Sequence, residues 1–214
     1  MGNAAVQRLI ERRGFFDDDD VTRSPVPLDT TTDDVKPDDQ TLPQGGTTTP
    51  TTWGSTFTVS NATENRDEES LNDVATALSN KTEAGSTLPT MGDIKTDLDG
   101  NSKVLKAAVT VTETVTLPKW TKYDKQCDRH KAEWDRFSAA LKTHEDSHVA
   151  IDRKWFENIT SKLIGLKDSD VDAKLAAIQA QAQKDNEDYD TANGHGTKNG
   201  TNIDAGIRCS DKVE

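Results

Sequence analysis

His144-Glu145-Asp146-Ser147-His148 reads HEDSH, a match to HExxH. On a helix, positions i and i+4 lie on one face, a turn apart. Two imidazoles placed there can share one zinc ion. The glutamate between them projects to the side, where it can hold a water and take its proton. His144 and His148 are therefore the expected metal ligands, and Glu145 the expected general base.

These residues need a helix to carry them. Trp134, Phe137, Leu141, His144, His148, Ile151, Trp155 and Ile159 follow steps of three and four, the period of one helical face. The pattern predicts a long helix over about residues 128–163, with both histidines turned toward the core and Gly165 as its stop. A second helix is expected over about 169–188, with Val171, Leu175, Ile178 and Ala182 inward. Upstream, residues 56–60 predict a short strand and residues 68–80 a helix with Leu71, Val74, Ala75 and Leu78 inward. Residues 80–101 are turn-rich, with room for a short strand near 92–96. Residues 104–117 alternate valine and threonine and predict a further strand, ended by Pro118. Glu113 interrupts its apolar face, which predicts partial exposure. The expected class is α+β, a small and partly antiparallel sheet packed on the long HExxH helix and a second helix.

A catalytic zinc usually has three protein ligands and a water. The extended form HExxHxxGxxH is excluded, because Ile151 and Lys154 stand where its glycine and third histidine would be. His195 is the favoured third ligand, since Gly194 and Gly196 let the backbone bring an imidazole close to a metal. Glu187, Asp190 and Asp204 are the alternatives. Cys127, at the start of the HExxH helix, and Cys209, near the C-terminus, form the candidate disulfide.

Composition limits the partners. The net charge is −12, and hydrophobic residues make up 32% of the 214. With a sequence pI near 4.8 and no basic stripe, nucleic acid is not an expected partner. No apolar run is long enough to span a membrane. The apolar deficit is concentrated before about residue 53 and after about residue 193, which divides the chain into a short amphipathic segment over 1–14, a disordered linker over 15–52 and a domain over 53–214 whose core comes mainly from its middle. A monomer is expected.

Four stretches resemble a known family. They are TFTV at residues 56–59, VTVTETVTLPKW at 109–120, the W-x-x-F-x-x-x-L-x-x-HExxH run from Trp134, and YDTANGHG at 189–196. Together they resemble the bacterial secreted zinc-dependent proteases long catalogued as a domain of unknown function. The resemblance implies a zincin-like fold, carries over His144, Glu145 and His148, and makes Tyr189 a candidate for stabilising the tetrahedral oxyanion. Separately, GNAAVQRL at 2–9 resembles a segment near the start of bacterial proteins linked to contractile injection systems and polymorphic toxins. That resemblance implies delivery by an injection apparatus, hence export from the bacterial cytoplasm without a classical signal peptide.

The expected activity is zinc-dependent hydrolysis of peptide bonds by an exported effector or toxin. The strand around residues 109–115 is expected to bind an extended peptide or protein substrate by edge pairing. The competing expectation is a non-catalytic cargo or binding module of a contractile injection system, stabilised by zinc.

Overall fold

A computed structural model describes residues 53–209. The amphipathic segment 1–14 and the linker 15–52 lie outside the described residues. The described chain is α+β. Its long elements are β1 (Gly54–Arg66), α1 (Leu71–Ser79), β2 (Ser86–Leu98), β3 (Val104–Trp120), α2 (Asp128–Phe156) and α3 (Asp168–Asn193). Short 3-10 turns follow β3, α2 and α3, at Tyr123–Lys125, Ile159–Lys162 and Thr197–Asn199. Among the described residues, no helix is long and apolar enough to cross a membrane.

The three strands form one mixed sheet in the order β1-β3-β2, with β1 parallel and β2 antiparallel to β3. The central position of β3 corrects two expectations. A strand paired on both sides has no free edge, so residues 109–115 cannot bind a peptide by edge pairing; β1 and β2 are the edge strands. Glu113 does not signal exposure either. Ala107, Val109, Val111, Glu113 and Val115 all point into the interior at the period of two that a strand imposes. Pro118 does not end the strand. It pairs only with Glu64 of β1, because the ladder to β2 stops at Ser86↔Thr116, and a proline is tolerated where one side of the ladder is open. The stretch expected to be mostly turns holds the whole of β2, whose Thr, Asp, Gly and Pro content hid it and suits an edge.

Two apolar clusters hold the layers together. One joins Val104, Val109 and Val111 of β3 to Phe156, Ile159 and Leu163, and to Val171, Leu175 and Ile178 of α3. The other joins Leu71, Val74 and Leu78 of α1 to Trp120 and to Trp134, Phe137 and Leu141 of α2. Along α2 the buried face is thus apolar from Trp134 to Leu141, polar from His144 to Asp152, and apolar again at Phe156. The predicted stripe bends here. Asp152 and Phe156 are buried, while Ile151 and Trp155 are only half-buried. The helix stops at Phe156 and the chain continues as a 3-10 turn, so Ile159 reaches the core from outside α2.

The end of the described chain runs back along α2 as a strap. Three α2 residues and the helix N-cap Cys127, at three-residue spacing, hold it along one slanted ridge. Arg136 donates to the carbonyls of Gly200 and Asn202, and Glu133 accepts from the backbone N–H of Asp204 at 2.7 Å. His130 Nε2 donates to the carbonyl of Ile207 at 3.1 Å, and Cys127 is joined to Cys209 by a disulfide. The expected cysteine pair is therefore the one formed. It closes a loop with a sequence separation of 82 residues. On the chain-entropy account such a cross-link stabilises the folded state by about 4 kcal/mol. Denaturant unfolding with and without reductant should show a loss of that order; an unchanged midpoint would mean that the strap adds nothing to the cooperative unit.

Candidate metal centre

His144 and His148 sit on the buried face of α2, where α3 crosses it. Their Nε2 atoms are 3.3 Å apart. Asp190 on α3 places Oδ1 3.2 Å from His144 Nε2 and 3.0 Å from His148 Nε2. Four ligands at tetrahedral corners, about 2.0–2.1 Å from a zinc ion, would be roughly 3.3–3.4 Å from one another. The two nitrogens and the oxygen therefore lie close to three corners of a tetrahedron of zinc size. Asp190 Oδ1 and His144 Nδ1 are both buried; the oxygen pairs with the two imidazoles and makes no further contact of hydrogen-bond geometry among the described residues. Two imidazoles and a carboxylate suit zinc, and iron(II) as well, while the near-tetrahedral spacing favours zinc.

The surroundings fix the donor atoms. One turn before Asp190 on α3, Asn186 donates from Nδ2 to Asp152 Oδ1 at 2.8 Å and to the carbonyl of Ala182 at 3.1 Å. Its Oδ1 must then accept, and it does so from His148 Nδ1 at 2.8 Å. With the proton held on Nδ1, the lone pair of Nε2 is the one presented to a metal. On the other side, the Tyr189 ring stacks on His144 with centroids 5.3 Å apart. Removing such an outer partner typically weakens metal affinity by about 10–100-fold. Asn186→Ala should do so with the fold retained, measured as zinc dissociation constants by competition with a chromophoric chelator. Wild-type affinity in this variant would show that the Asn186 hydrogen bond does not orient His148.

The electrostatics follow from burial and proximity. Burial opposes a charge on His148, but the Asp190 carboxylate and the Asn186 amide outweigh it and push its pKa up to about 9. His144 is shifted the other way, by burial and then by the positive charge of His148. Burial raises Asp190, but His148 and His144 together leave it below the usual carboxylate range.

Glu145 is buried and lies against the start of β2. Burial pushes its pKa up to about 7, against the hydrogen bond that Thr87 donates to Oε2 at 2.8 Å. Gly85 leaves the space for the other oxygen, since a Cβ there would come 2.7 Å from Glu145 Oε1. The carboxylate is thus held beside the two histidines and outside the metal group.

All four groups line a cavity of about 380 Å³. Leu78, Phe137, Leu141 and Ile203 form its apolar wall, Thr201 to Ile203 belong to the strap, and Glu83 and His195 are exposed residues that line it as well. The third position of the metal group falls to Asp190, one of the alternatives to His195. His195 is outside that group. It follows the left-handed Gly194 that ends α3, itself has φ +50°, and donates its backbone N–H to the carbonyl of Asp190 at 2.8 Å. Glu187 is exposed and bonded to Gln183, and the Asp204 carboxylate accepts from Gly206. Tyr189 is not among the residues lining the cavity, and its hydroxyl is 3.4 Å from Asn199 Nδ2.

Asn186, Asp152, Thr87, Gly85 and Glu83 are absent from the sequence reading. For two of them a signal existed. His144, His148 and Asp152 stand at i, i+4 and i+8 on α2, and Asn186 and Asp190 at i and i+4 on α3. Each helix thus presents a polar row one turn apart.

The model of a family described as a bacterial protein of unknown function (DUF922) matches residues 55–196. The chain belongs to this family. No functionally curated protein and no solved structure matches it. The DUF922 match covers both metal-group helices and the whole sheet but stops at Gly196, before the strap and Cys209.

Proposed function

We propose that the chain is a zinc-dependent peptidase whose metal ligands are His144, His148 and Asp190 and whose general base is Glu145. The observation that supports this best is the near-tetrahedral spacing of Nε2, Nε2 and Oδ1, with a buried carboxylate beside it that binds none of that point. A zinc ion held there would polarise a peptide carbonyl and lower the pKa of a bound water toward 7. Glu145 accepts the proton of the attacking water and passes it to the departing amine, a task favoured by a carboxyl pushed up to about 7. Thr87 and Gly85 keep that carboxylate turned toward the cavity. His195, on the cavity lining, can donate to the oxygen on which negative charge develops; Tyr189 instead steadies His144 by stacking. An extended peptide can add to the outer edge of β2, whose first residues flank Glu145.

The disulfide is consistent with work outside a reducing cytoplasm and supports an exported effector, delivered through the N-terminal segment to which an injection apparatus would bind. The test is incubation of the zinc-loaded protein with a mixed library of unstructured peptides, followed by mass spectrometry. New termini that a chelator suppresses and zinc restores are expected. Tight zinc binding without any cleavage would favour the competing reading, a zinc-stabilised module.

A further inference from the structure

One charged group in the cavity has no work in the scheme above. Asp190 is paired with the two histidines, and Glu145 is held by Thr87. Lys81, the lysine of the lining, is bound to Glu64 in β1. Glu83 also lines the cavity, in the connection between α1 and β2, and makes no hydrogen bond or ion pair among the described residues. Its electrostatic neighbours are Asp190, His148 and His195, so this exposed carboxylate lies at the cavity's rim within reach of the metal group. The cavity therefore pairs an apolar wall of Leu78, Phe137, Leu141 and Ile203 with one carboxylate that no lysine or arginine side chain of the described residues pairs with.

We propose that Glu83 is a specificity-determining residue that selects a substrate carrying a positive charge beside the scissile bond. A lysine or arginine side chain matches both features. Its methylenes cover apolar surface while its charged head seeks a carboxylate. A free α-amine carries the same charge without the stem. An acidic side chain in this place meets the Glu83 carboxylate and is disfavoured.

The inference rests on the peptidase reading, and the probes are chosen to separate the two. A hydroxamate chelates an open zinc whatever side chain it bears. Inhibition constants or calorimetric affinities are measured on the zinc-loaded full chain with three Nα-acetylated hydroxamates, of lysine, norleucine and glutamate. Norleucine has nearly the shape of lysine without the charge. The lysine probe is expected to bind about tenfold more tightly than the norleucine probe, the scale of one charged hydrogen bond. Glu83→Gln should erase that preference, and Glu83→Lys should turn it toward the glutamate probe, with the norleucine probe unaffected in both. Leucine hydroxamate with a free amine, compared with its acetylated form, separates the two sources of charge. A preference for the free amine that Glu83→Gln removes supports charge selection with the amino terminus as its source. Equal binding of all acetylated probes to the wild type, with no preference for the free amine either, overturns the role of Glu83 and leaves the metal reading standing. Binding of none of them overturns the metal reading itself. Glu83 is exposed and unbonded, so its substitution should leave the fold intact.

Discussion

Asp190→Ala is expected to lower zinc affinity by more than about 100-fold, beyond the range typical of an outer partner such as Asn186. The carboxylate does two things that no neighbour can replace. It supplies the third corner of the metal group, and it offsets the positive charge that two adjacent imidazoles and a dication would concentrate at one buried point. The same substitution changes the proton balance. His148 holds its proton up to about pH 9 chiefly because Asp190 overcomes the effect of burial. In the wild type, zinc must displace that proton, so affinity should fall as pH drops below about 9, and uptake near neutral pH should release close to one proton from His148. In Asp190→Ala this release should shrink along with the affinity. Calorimetry in two buffers of different ionisation enthalpy reads both quantities. His195→Ala, measured alongside, should leave affinity within a few-fold of wild type. If it fell as far as Asp190→Ala, the metal would be drawing on His195 as well.

Glu145→Gln should bind zinc normally and lose peptidase activity by roughly 100-fold or more, the scale of general-base catalysis. Glutamine keeps the size of the side chain and an oxygen that can accept from Thr87, so the contact with β2 survives. It cannot take a proton. Burying a neutral amide where a carboxyl is already pushed toward neutrality also costs little stability. The variant should therefore unfold at or above the wild-type midpoint while kcat collapses. Undiminished hydrolysis would remove Glu145 from the mechanism, and loss of zinc as well as activity would recast it as a ligand.

The helices were legible because their apolar periods are regular. Val171, Leu175, Ile178 and Ala182 are buried as the spacing predicts, and so are Trp134, Phe137, Leu141, His144 and His148. The sheet was less so. β3 shows its alternation plainly, but which of its sides is paired depends on β1 and β2, and a strand cannot announce from its own residues that it will be central. β2 is polar because it is an edge, and its polarity is what made it look like turns. At the site, HExxH places two histidines of the metal group and the neighbouring Glu145 carboxylate through helix geometry alone. The third member of the metal group lies 42 residues beyond His148 on another helix, so the crossing of α3 over α2 decides it, whereas the backbone freedom around Gly194 and Gly196 pointed to His195, which lies outside that group. Asn186 and Asp152 needed the same crossing. Cys127 and Cys209 were easier, since two cysteines allow one pairing.

In the proposed site His144, His148 and Asp190 hold one zinc ion. X-ray absorption at the zinc edge, on protein loaded to equivalence and checked by elemental analysis, tests it most directly. One zinc per chain is expected, in a four-coordinate shell with two imidazole nitrogens and two oxygens at about 2.0–2.1 Å, one of them lost in Asp190→Ala. A chain that takes up no zinc, or a zinc shell containing sulfur or unchanged in Asp190→Ala, would contradict it.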